Sequence, residues 1–272
     1  MRRVLPPDAD LLALIDAAGI WAAPGTTSWQ DADGSFGTIA RTGTYGNTVS
    51  RTRVAPDELP AFLAEIGRRY RRPPSFHVGP LETPGLAEAL LAAGYVLARR
   101  EGILVHDLDP ARIPSPNGVE VLQALEAQAF LAENWLSGVV FGDPPMSREM
   151  AEAEAARARL PDPTHPRTFI VPDPTGKDPC LASAGMALYR SWAFLVSGQT
   201  HPEARGRGLY RALVAARLGV AADLGLDFAA TEADAATSYP ILSRWGFRCL
   251  GWKEIYRWPE ADGAVRAQEP EG

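Results

Sequence analysis

The spacing of apolar residues along the chain switches repeatedly between the helical and the extended period. Steps of three and four mark amphipathic helices, and alternating or continuous apolar runs mark strands. In the first half this pattern predicts a helix around Asp10–Ile20 and strands around Gly37–Arg41 and Thr48–Val54. A helix from about Asp57 to Arg68 follows, with Leu59, Phe62, Leu63 and Ile66 on one face. Next come a short strand at Phe76–Val78, a helix over Leu86–Ala93 stopped by Gly94, and a long strand from Tyr95 to Leu108.

The second half repeats the alternation. Val119–Gln123 reads as a strand, Ala124–Leu136 as a helix, and Met146–Leu160 as a mostly polar helix free to move over a cleft. Thr168–Val171, Leu181–Tyr189 and Trp192–Thr200 read as strands, the last with the mixed apolar run of a central strand. Val171–Cys180 is then a hairpin loop between the first two. A long helix from Leu209 to Leu224 carries Leu209, Leu213, Ala216, Val220 and Leu224 in steps of three and four, and Gly225 ends it. The strand Leu226–Thr231, the short helix Pro240–Trp245 and the extended segment Phe247–Trp258 close the pattern.

Strands alternating with helices make this an α/β chain with a mixed sheet flanked by helices. The two halves also end alike. LLAAGYVLARREGILV (Leu90–Val105) and ILSRWGFRCLGWKEIY (Ile241–Tyr256) both give helix, glycine, aromatic residue and long strand, which predicts two tandem copies of one fold. The Pro-rich segment Asp107–Gly118 is the natural boundary. The expected organisation is an N-terminal domain over 1–112, a linker at 113–118, a second domain over 119–258, and a disordered tail over 259–272. Leu160–Pro166 is a second soft stretch, and Gly43-Thr44-Tyr45-Gly46 reads as a plain turn.

Composition narrows the class. With 272 residues, 46% hydrophobic and 22% charged, the chain suits one large or two medium globular domains. No apolar run approaches the roughly 18 residues that span a bilayer, and the two arginines of MRRVLPPDAD lack an apolar stretch behind them, so a cytoplasmic protein is expected. A net charge of −6 argues against sequence-independent nucleic-acid binding and is compatible with a cationic, amine-bearing substrate. Cys180 and Cys249 show no metal-ligand spacing; they read as free thiols, and no metal site is expected.

The segment richest in chemistry is GQTHPEARGRGLYRALVAARL, Gly198–Leu218. A predicted strand ends at Thr200, Pro202 breaks the ladder, and a tight Arg/Gly loop runs directly into a helix. Unpaired backbone N–H groups at a helix start, with the positive dipole end behind them, form an anion site. Gly206 and Gly208 let the backbone wrap a phosphate, and Arg205 and Arg207 add charge and bidentate donors. No Gly-Lys-Ser/Thr ending is present, which excludes a P-loop, and the glycine pattern does not fit a dinucleotide fingerprint.

The run Thr200-His201-Pro202 followed by Arg205-Gly206-Arg207-Gly208-Leu209-Tyr210, with Gly246-Phe247 and a final strand downstream, resembles the GNAT superfamily of N-acetyltransferases. The resemblance covers about Val119–Trp258, and Leu86–Leu108 faintly as a degenerate copy without the phosphate loop. It implies acetyl-CoA as cofactor, its pyrophosphate on amides from Gly206 to Tyr210, and backbone groups near Gly198 and Thr200 against the pantetheine and the acetyl carbonyl. The implied activity is acetyl transfer to a primary amine of a small molecule or peptide. A non-catalytic acyl-CoA sensor is the alternative.

Two positions depart from the family pattern. Tyr210 stands where Gly or Ala is usual, and Leu242 stands where a tyrosine often serves as general acid. Tyr239, one turn earlier, is the candidate substitute, or simply a pocket wall. Trp192–Thr200 carries no carboxylate, so the general base falls to Glu232 or His201, each with a plain alternative as a surface or capping side chain. The first half would supply a wall of the acceptor cleft or a homodimer surface.

Overall fold

The computed structural model describes residues 5–18, 26–40, 46–160 and 166–259. The expectations for the N-terminal MRRV, for Gly43–Tyr45, for most of Leu160–Pro166 and for the tail from 260 onward lie outside the described residues. The chain clusters into two compact units. The first holds Pro6–Ile103, Ala233–Ile241 and the segment from Cys249; the second holds Leu104–Glu232 and Leu242–Arg248.

The first unit starts with α1 (Asp8–Ala18), β1 (Thr26–Gln30), β2 (Phe36–Ala40) and β3 (Thr48–Arg51). It continues with α2 (Leu59–Arg69), β4 (Ser75–Val78), α3 (Leu86–Ala92) and β5 (Val96–His106), whose last three residues fall in the second unit. Both β1–β2 and β2–β3 are antiparallel, and β4 lies parallel to β3 across the α2 connection. The face of α2 buries Leu59, Phe62 and Ile66 against Val49, Phe76, Leu86 and Leu90, while Leu63 is only partly covered. β1 escapes the periodicity because TTSWQ is polar and alternates no apolar residues; its Trp29 indole donates to Tyr70 Oη at 2.8 Å.

The second unit repeats this order of connections. It contains β6 (Leu122–Gln123), α4 (Ala127–Phe141), α5 (Arg148–Ala158), β7 (Arg167–Val171), β8 (Ala182–Leu188), β9 (Trp192–Thr200), α6 (Leu209–Asp223) and β10 (Phe228–Asp234, to residue 232). The strands β7, β8 and β9 form an antiparallel meander, and β10 runs parallel to β9 across α6. Each unit therefore shows three antiparallel strands, a helix and a parallel strand, which is the internal repeat. After β10 come α7 (Ser238–Ser243) and β11 (Arg248–Arg257). β11 pairs antiparallel with β4, Glu254 opposite Val78 and Tyr256 opposite Phe76, so residues 249–257 cluster with the first unit, as do Ala233–Ile241.

Two helices differ from expectation for local reasons. α4 starts at Ala127 because Ala124 is still extended, its N–H donating to Thr168 O at 2.8 Å, and it runs on to a left-handed Gly142. α5 is not a loose polar helix: Ala151 and Ala155, one turn apart, are buried against Phe130 and Ala124. No described helix is long and apolar enough to cross a membrane.

Candidate functional site

The site is built where β9 stops pairing on one side. Parallel pairing with β10 covers only Trp192–Leu195 against Phe228–Thr231, and there the Thr231 hydroxyl donates to Leu195 O at 2.8 Å. Beyond that point the described register leaves β9 paired with β8 alone. The β8–β9 ladder is itself irregular. Ser183 faces Gln199 and Gly185 faces Val196, so Ala184 stands against both Ser197 and Gly198. Ser197 takes a φ of 51°, a left-handed conformation that a residue with a Cβ adopts at a cost, and such bulges re-aim a strand beside active sites. Ser197 and Gly198 are both exposed.

Directly after β9, His201 opens a tight turn. Its N–H donates to Leu181 O at 2.8 Å, and its Nδ1 accepts from the Glu203 amide at 3.3 Å. The His201 ring lies flat on Trp135 of α4, centroids 5.8 Å apart and planes 2° apart. Arg205–Gly208 are exposed, and Gly206 and Gly208 sit at φ of 77° and 79°, where glycine is the favoured residue. A Cβ placed on either would touch nothing within 4 Å, so the concave side of the loop is open. Gly208 caps α6, leaving the first amides of that helix without intrahelical acceptors. Neither the Arg205 nor the Arg207 guanidinium has a hydrogen bond or ion pair among the described residues. The Tyr210 side chain leaves the loop and packs on β9: a Cβ on Gly198 would come within 2.8 Å of its Cε2. Burial raises the Tyr210 hydroxyl above its ordinary pKa.

Two further groups were missed in the sequence. Arg217 of α6 is 2% exposed. Its Nε donates to Leu213 O at 3.0 Å, and its Nη1 to Gly185 O at 3.0 Å and Val196 O at 3.4 Å. It thus fixes the carbonyls of the residue pair next to the bulge, with no carboxylate partner among the described residues. Desolvation lowers its pKa to about 10, which leaves it charged at neutral pH. A helical-period reading of α6 looks for apolar residues, and an arginine on the buried face gives it no signal. Glu133 of α4 is the second. Gln199 Nε2 donates to Glu133 Oε1 at 3.2 Å and to Ser183 Oγ at 2.8 Å. The Glu133 carboxyl is held above the usual carboxylate range by desolvation first, then by the nearby Asp143 charge.

The second unit holds Gly198, Thr200, His201, Arg205–Tyr210 and Glu232, the last half-buried on β10. Tyr239 belongs to the first unit, where its ring lies 4.7 Å from that of Trp252 and over Gly102, on which a Cβ would clash at 2.6 Å. Leu242 is a core residue at 2% exposure. Among the described residues no group of three or more His, Cys, Asp or Glu is placed to hold a metal ion.

This fold has counterparts among known structures. A GCN5-related N-acetyltransferase from Kribbella flavida superposes with a TM-score of 0.65 at 16% identity, over 92% of this chain and 96% of that one. The chain has the GNAT fold. A tandem GNAT protein from the clavulanic acid biosynthesis pathway gives a TM-score of 0.54 at 14% identity, over 96% of this chain and 91% of its own. A GCN5-related N-acetyltransferase from Sphaerobacter thermophilus gives 0.54 at 15% identity, over 84% and 82%. No family model matches the chain and no curated protein matches it. The tandem GNAT arrangement read from the repeated helix–glycine–strand ends is therefore met at the level of fold.

Proposed function

We propose that the chain is an acetyl-CoA-dependent N-acetyltransferase acting on a primary amine of a small molecule or peptide. One observation carries the reading: β9 parts from β10 at Leu195, bulges at Ser197, and leads straight into an open loop of two positive-φ glycines and two arginines whose guanidiniums have no partner among the described residues. The residues fit the cofactor. Amides from Gly206 to Tyr210 and the Arg205 and Arg207 guanidiniums would hold the pyrophosphate, and the backbone of exposed Gly198 and half-buried Thr200 would take the pantetheine. Bound acetyl-CoA supplies an activated acetyl thioester. The backbone of the parted strand offers fixed dipoles to the oxygen that gains charge during transfer. From the sequence, Glu232 and His201, both in the second unit, are candidates for accepting the amine proton.

The sensor reading keeps one specific support, the buried apolar Leu242 at the position of the family's acid. Release of free CoA thiol from acetyl-CoA, followed across a panel of primary amines, separates the two. Turnover with any amine ends the sensor reading; acetyl-CoA binding without turnover ends the enzyme reading.

A further inference from the structure

The Glu133–Gln199 pair has acceptor capacity that nothing in the fold uses. Gln199 is 4% exposed, and both N–H groups of its amide are committed, to Glu133 Oε1 and Ser183 Oγ. That commitment fixes the amide orientation, since a flipped amide would set its oxygen against the carboxylate. Gln199 Oε1 is left buried with no partner. A buried carbonyl left without a donor is destabilising, so its persistence calls for a ligand or a water. Glu133 Oε2 also has no partner among the described residues, and Glu133 is only half-buried, so a small molecule can reach it. Both groups bear on β9 one residue beyond the Ser197–Gly198 bulge, where the thioester is placed by the function proposed above.

We infer that Glu133, oriented by Gln199, receives the acceptor's ammonium and takes its proton, a role that rests on the acetyltransferase reading. The ammonium gives one proton to Glu133, and the freed lone pair attacks the thioester carbonyl carbon. The C–N bond forms, the C–S bond breaks, and the second nitrogen-bound proton leaves with the thiolate as CoA thiol. Glu133 then passes its proton to water. The titratable groups beside Glu133 are Asp143 on the loop after α4 and Cys180 ahead of β8. Cys180 is pushed up to about 12 by desolvation, so it stays a neutral thiol through the working range. The ligand class is a cationic primary amine, which two acceptor oxygens suit and a neutral alcohol does not.

The test compares wild type, Glu133→Gln, Glu133→Asp and Gln199→Met, using the amine with the highest turnover in the wild-type panel. In Glu133→Gln, turnover falls at least a hundredfold, the acidic limb of the kcat/KM pH profile disappears, and calorimetric binding of the same amine to cofactor-free protein weakens at least tenfold. Acetyl-CoA affinity stays within twofold, and the melting temperature shows the variant folded. Glu133→Asp recovers part of the rate, and Gln199→Met moves the acidic limb without removing it. Glu133→Gln with wild-type turnover and pH profile overturns this role alone. A wild type that turns over no amine overturns the acetyltransferase reading and this role together.

Discussion

Arg217 offers a direct perturbation of the device that shapes β9. Replacing it with Met keeps length and removes the guanidinium. Leu213 O retains its helical N–H partner, so the loss falls on Gly185 O and Val196 O, both beside the bulge. A stranded buried carbonyl costs about 1–3 kcal/mol, giving roughly 2–6 kcal/mol for two. Relief from burying a cation with no carboxylate partner offsets part of this, for a net loss of about 2–4 kcal/mol. Lysine, a point charge that reaches one carbonyl at a time, gives an intermediate loss. Because those carbonyls hold the strand at Ser197–Gly198, acetyl-CoA affinity falls at least tenfold in Arg217→Met at a temperature where the protein is fully folded. The control is Leu90→Ala, a fully buried residue of the first unit whose truncation costs about 2–5 kcal/mol and leaves the affinity unchanged. Urea unfolding and acetyl-CoA calorimetry on wild type and the three variants give the answer. Unchanged stability and affinity in Arg217→Met would refute the bulge-holding role.

Other outcomes follow from single contacts. Gly198→Ala forces its Cβ to 2.8 Å from the Tyr210 ring, so it destabilises by about 1–3 kcal/mol in thermal melts, and a second change, Tyr210→Ala, recovers most of that loss. His106 and His77 are held neutral by desolvation, at about 4 and about 3 against an ordinary 6.5. The unfolded chain therefore binds protons below pH 6.5 that the native state excludes. Stability is full above that pH and drains away as pH falls toward 4. His106→Asn lowers the slope of unfolding free energy in that window by about one proton, or about 1.4 kcal/mol per pH unit, and an unaltered slope would contradict a buried neutral imidazole.

What the sequence shows and hides follows from its physics. Gly206 and Gly208 were legible because positive φ leaves a glycine in the sequence, and the strand–loop–helix order was legible because the hydrophobic period changes there. The bulge was not, since its left-handed residue is a serine and no residue type marks it. On α6 the apolar steps picked out Leu209 and Leu213, which are buried, but also Ala216, Val220 and Leu224, which are not, while the buried face runs on through Ala212, Arg217, Leu218 and Ala221. Small alanines and a carbonyl-bound arginine blur that stripe. No carboxylate lies along β9 itself, whereas Glu133 reaches that strand from α4, 66 residues earlier than Gln199, and only tertiary packing brings the two together. β11 was read correctly as a strand, but its pairing with β4 is a long-range choice that local periodicity does not encode.

The central claim is a phosphate-bearing acyl donor held by the Arg205–Tyr210 loop. Calorimetric titration of acetyl-CoA into wild type and into Arg205→Ala/Arg207→Ala tests it most directly. Each charge-assisted phosphate contact contributes about 1.5–3 kcal/mol, so saturable wild-type binding weakened tenfold or more in the double variant is the expected result. No binding by wild type, or equal binding by both proteins, would contradict it.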